Sequence, residues 1–129
     1  MMLFFLLLQA ATPVTPVAPA DVSLLPPVPY IAPPQMTAPL VRFVADEIAA
    51  GRCTPPRPAD GHYVIKLNVA TLVATDGSVR QARPDAIDCP TVEQYAAGLV
   101  IRFARANIQP RPGSEDSWYR ATIVFDWQG

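Results

Sequence analysis

The chain is 129 residues with a formal net charge of −1, half of it apolar and 16% charged. One histidine and two cysteines leave little for a metal cluster or a catalytic constellation, and the near-neutral balance removes the electrostatic case for nucleic acid binding. Sixteen prolines, nine of them between Pro13 and Pro39, divide the chain into unlike parts.

The first part is an apolar octet, Met1 to Leu8, followed by Gln9-Ala10-Ala11. A membrane-crossing helix needs about 20 apolar residues, so the octet is too short to span, but it meets the lower limit of a secretory signal core. Residues 1–11 are therefore read as a signal-like apolar segment, and the rest of the chain is expected outside the cytoplasm. Residues 12–39 read as a proline-rich linker with no lysine or arginine and one acid, Asp21. Proline fixes φ and drives its predecessor toward extended backbone, so a disordered polyproline II stalk of at most roughly 80 Å is expected. Pro26-Pro27-Val28-Pro29 could also be a ligand for proline-binding modules, although the stalk lacks the basic residue such ligands usually carry.

Residues 40–129 hold all ten basic residues and ten of the eleven acids, enough chain for one small domain. Leu40, Phe43, Val44 and Ile48 recur at helical spacing and Gly51 follows as a left-handed cap, predicting a short leading helix. His62 to Ala74 alternates as a strand with Ile65, Leu67, Val69, Thr71 and Val73 on one face. Asp76-Gly77 supplies a tight turn, and Ser78 to Ala82 returns antiparallel. Thr91-Val92-Glu93-Gln94 matches a capping box ahead of the main helix, whose stripe is Val92, Tyr95, Ala96, Leu99, Val100 and Phe103. Trp118 to Trp127 alternates again, with Tyr119, Ala121, Ile123, Phe125 and Trp127 set against Trp118, Arg120, Thr122 and Asp126. The fold class is α+β: a small three-stranded antiparallel sheet with one main helix packed on it, in the order β-β-α-β, preceded by a short helix and the stalk.

Cys53 and Cys89 stand before the first strand and at the mouth of the main helix. In an oxidising compartment they are expected to pair, closing a loop worth roughly 3 to 4 kcal/mol by the chain-entropy model; otherwise they are two free thiols. No catalytic, cofactor or metal site is expected. His62 has no nucleophile motif beside it, and Asp85 and Asp88 suit the positive end of the helix that follows.

The ordered parts from Cys53 to Trp127 resemble the C-terminal domain of the TonB family of energy transducers. The resemblance rests on Thr75-Asp76-Gly77-Ser78-Val79 at the end of a strand and a cysteine-containing turn. It continues in a helix with Tyr95-Ala96-Ala97 and Arg102-Phe103, with Pro110 after it, and closes on the strand Ala121-Thr122-Ile123-Val124-Phe125. It implies a periplasmic, non-enzymatic domain that binds a segment of an outer-membrane receptor by adding a strand to its sheet. The implied binding edge is the last strand, with Trp118, Arg120, Thr122 and Val124 facing the partner. If a longer N-terminus anchors the chain, inner-membrane motor proteins are further partners and the role is energy transduction for transmembrane transport. The alternatives are a stand-alone secreted envelope accessory protein of the same fold, and a homodimer formed through the open edge.

Overall fold

The structure, a computed structural model, describes residues 16–111, 113 and 115–129; the signal-like octet lies outside the described residues. Five regular elements follow one another: α1 (Ala38–Ala49), β1 (His62–Val73), β2 (Val79–Pro84), α2 (Pro90–Ala104) and β3 (Ser117–Gln128). The three strands form one antiparallel sheet in the order β2-β1-β3, the α+β arrangement expected from the sequence.

Each element has a local cause. Pro39 sits in the first turn of α1, where its missing N–H costs nothing, and Gly51 ends the helix at φ +75° with its N–H donating to the Ile48 carbonyl at 3.0 Å. Between β1 and β2 the chain reverses at Gly77, which has φ +90° and lies so close to Ile108 that a Cβ would come within 2.8 Å of its carbonyl oxygen. The Ser78 hydroxyl and N–H both donate to Asp76 Oδ1, at 2.6 and 2.9 Å, and these bonds hold the Asp76 carboxyl below its usual range.

The start of α2 departs from the expected capping box. Pro90 opens the helix and Cys89 takes the N-cap position without a side-chain cap. The reciprocal bonds are made instead by Glu93, whose Oε2 accepts from the part-buried N–H groups of Cys89 and Ile87 at 3.0 and 3.1 Å. Asp85 is no helix cap either; its Oδ2 accepts from the Asn68 N–H at 3.3 Å and ties the end of β2 to β1.

The odd-numbered residues of β1 and β3 face the helices. Val69, Val73 and Phe125 are fully buried there with Val92 and Val100 of α2 and Val44 of α1. α2 lies over β1 and β2, while α1 lies over β3. The Tyr95 ring joins the two helices to the sheet: it stacks on Phe43 at 4.2 Å and Phe125 at 6.0 Å, and its hydroxyl donates to the Leu40 carbonyl at 3.0 Å.

The proline-rich segment contributes to this core. A 3₁₀ turn, Val22–Leu24, packs against β1 and β3, and Ala70 and Leu72, whose side chains point away from the helices, are each 1% exposed. Pro27 then bridges Arg120 in parallel: the Val28 N–H donates to the Arg120 carbonyl at 3.0 Å and the Arg120 N–H to the Pro26 carbonyl at 2.8 Å. Arg120 adds a third bond, Nη1 to the Ser23 carbonyl at 2.8 Å. Val28 is 7% exposed within the main core, and burial pushes the Tyr30 phenol up in pKa. Asn107 pins the chain just beyond Tyr30, donating from Nδ2 to the Ala32 carbonyl at 2.8 Å and accepting the Ala32 N–H at 2.9 Å. The head thus takes in residues from about Val22 onward, and the reach expected of a free stalk ends there.

Truncating a buried branched side chain leaves a cavity, so Val28→Ala should lower unfolding stability by about 2 kcal/mol. Leu24→Ala, at an 81% exposed position, should change it by less than about 0.5 kcal/mol. Urea unfolding of the two variants checks this. Equal, negligible effects would mean that the segment is not part of the folded unit.

Candidate functional site

Among the described residues no three His, Cys, Asp or Glu side chains meet in a way that could hold a metal ion. Cys53 and Cys89 form a disulfide, Cα–Cα 5.2 Å, that joins the loop after α1 to the mouth of α2. No helix among the described residues is long and apolar enough to cross a membrane. The feature left open among the described residues is the backbone edge of the sheet.

Antiparallel ladders alternate, each residue turning its N–H and C=O either toward a neighbour or away from it. Because Arg120 uses both groups on the Pro26–Val28 segment, the even-numbered residues of β3 all point outward, away from β1. Between Arg120 and the terminal Gln128 these are Thr122, Val124 and Asp126. None of their outward N–H and C=O groups has a partner among the described residues.

The expected edge of Trp118, Arg120, Thr122 and Val124 is therefore divided. At Arg120 the chain's own proline segment already occupies it. Trp118 is half-buried, with an indole N–H that lacks a partner among the described residues, which places it in the packing beside Leu72, its cross-strand neighbour. Thr122 and Val124 remain open. The Thr122 hydroxyl donates to Asn68 Oδ1 at 2.8 Å, while Val124 is 39% exposed on the face away from the helices. On the helix face, a cleft of about 450 Å³ lies between α1 and the end of β3, lined by Met36, Val41, Arg42, Ala45 and Trp127.

The opposite edge of the sheet is closed by ordinary means. β2 is short, carries Arg80 in an ion pair with Asp116 at 3.7 Å, and ends in Pro84, which has no N–H to offer. Sequence reasoning missed the occupant of the β3 edge. The available signal was Val28 and Tyr30, the latter being the only aromatic residue between Phe5 and Phe43, set among prolines.

His62 and Asp126 meet across the open end of β3, where the His62 Nε2 and Asp126 Oδ1 are hydrogen-bonded. This bond, reinforced by the carboxylate's charge, raises the imidazole pKa above its ordinary 6.5. A raised histidine pKa stabilises the fold below the unfolded value and loses that contribution as pH rises through the folded value. Asp126→Asn should lower the His62 pKa in an NMR titration of the ring protons, and the stability gap between variant and parent should close as pH rises. An unchanged titration curve would show that the pair does not form in solution.

No protein-family model, no curated protein and no solved structure matches this chain.

Proposed function

We propose that the protein is an exported, periplasmic interaction domain, similar in role to the C-terminal domain of the TonB family. In this reading it takes an extended segment of an outer-membrane receptor onto the outer edge of β3 and does no chemistry of its own. The observation that carries this reading is the run of three outward-facing residues, Thr122, Val124 and Asp126, whose ladder groups have no partner among the described residues.

A strand laid there is limited at one end by the Pro26–Val28 segment, so the docked stretch is about five residues. Each backbone bond contributes roughly 0.5 to 1.5 kcal/mol net, and ordering the peptide offsets part of the sum. Weak, rapidly reversible binding follows. Val124, exposed beside Lys66 of β1, offers side-chain contact to a β-branched or aliphatic residue opposite it. The disulfide fits an oxidising compartment.

Energy transduction extends the same reading. The polypeptide enters the head along β3, through the bonds that Arg120 donates to the Ser23 and Pro26 carbonyls and accepts from the Val28 N–H. A pull from the N-terminal side would reach β3 first, next to the docked receptor.

Receptor-derived peptides at millimolar concentration should shift the amides of Thr122, Val124 and Asp126 in ¹⁵N-correlated NMR spectra. Val124→Pro removes an N–H that points away from β1, so the sheet should survive while peptide affinity falls at least tenfold. Peptide binding that is indifferent to Val124→Pro, or no shift along these residues, would refute the proposal.

A further inference from the structure

β2 is half the length of β1 and covers it only from Val69 to Val73. Two more contacts follow, the Asp85 N–H donating to the Asn68 carbonyl at 2.9 Å and the Asn68 N–H donating to Asp85 Oδ2 at 3.3 Å, before the chain leaves the sheet through Asp88 at φ 57°. The even-numbered residues of β1 face the β2 side, because the odd-numbered ones pair with β3. His62 spends its N–H on Asp60 Oδ1 at 3.0 Å. Val64 and Lys66 have no backbone partner on that side among the described residues.

The space a longer β2 would have filled is a groove of about 510 Å³. One wall carries Pro55 and Pro56, which have no N–H to give β1; the other carries Ile87 and Asp88. The Cys53–Cys89 disulfide joins the two walls and fixes their separation. The groove is therefore bordered by unpaired strand groups on a central strand and, on one wall, by two prolines that have no N–H to donate to them.

The geometry points to a second peptide site, distinct from the β3 edge, in which an extended partner segment continues the line of β2 antiparallel to β1. Side chains directly opposite each other in such a pair share a face, which sets the partner's chemistry. Lys66 is exposed and in no ion pair among the described residues, so the residue opposite it is acidic. Val64, 55% exposed, takes a β-branched residue opposite. The residue between turns to the helix side, toward the partly buried Ile65, Ile87 and Cys53, and is small and apolar. Read along the partner, the motif is acid, small apolar, β-branched.

The test uses the oxidised full chain, ¹⁵N-labelled, titrated to several millimolar with capped peptides. These contain Glu-Ala-Val, Lys-Ala-Val or the reversed Val-Ala-Glu. The Glu-Ala-Val peptide should shift the Val64 and Lys66 amides and bind about fivefold more tightly than the lysine peptide. Lys66→Glu should invert that preference. Absence of shifts at Val64 and Lys66, shifts appearing only along Thr122 to Asp126, equal binding of all three peptides, or a preference unmoved by Lys66→Glu would overturn the inference.

Discussion

A central strand satisfies both of its backbone edges only when both neighbours match its length. Here β3 matches the twelve residues of β1 pair for pair, and β2 has six. The mismatch organises the molecule. The matched side buries the alternating face of β1 against the helices and pushes the open edge out to β3. The unmatched side leaves two residues of a central strand facing a groove. Both exposed stretches belong to residues of even number, because one ladder phase runs through the whole sheet.

Two clamps hold the elements around this sheet. The disulfide binds the loop after α1 to the start of α2 and removes freedom from the unfolded chain. The proline segment acts on the other side, where Val28 enters the core and Arg120 makes three hydrogen bonds with residues 23–28. Proline suits this position physically. It loses little conformational freedom on ordering, and an edge pairing needs its N–H only where it faces the sheet, as Val28 does and Pro27 does not. The same segment shortens the exposed edge, protecting the start of β3 from unintended pairing and leaving the stretch from Thr122 to Asp126 open.

Much of this fold was legible in the sequence because its signals are local. The alternation from Ile65 to Val73 and from Tyr119 to Trp127 names the buried faces of β1 and β3, and Asp76-Gly77 names the turn between β1 and β2. The helix start was misread because Pro90 opens the first turn, which moves the N-cap two positions earlier, from Thr91 to Cys89, and hands the reciprocal bond to Glu93. The proline segment was read as solvated stalk, since its composition favours extended backbone and says nothing about what that backbone lies against. The candidate site was half legible for the same reason. Thr122 and Val124 are open, whereas the occupancy of Arg120 depends on a contact 92 positions away in the chain (120 − 28). The groove beside β1 had a local sign in Pro84, which stops β2, but its depth depends on where the Cys53 loop packs.

Two stretches of this sheet present unpaired ladder groups in the folded protein. Amide hydrogen exchange on the oxidised monomer measures this directly. Ile65, Leu67, Ile123 and Phe125, whose N–H groups lie in the β1–β3 ladder, should be strongly protected, while Val64, Lys66, Thr122, Val124 and Asp126 should exchange at least a hundredfold faster, on the order expected when exchange needs no opening of a core strand. Equal protection of the two sets would mean that these edges are already paired and would contradict the account.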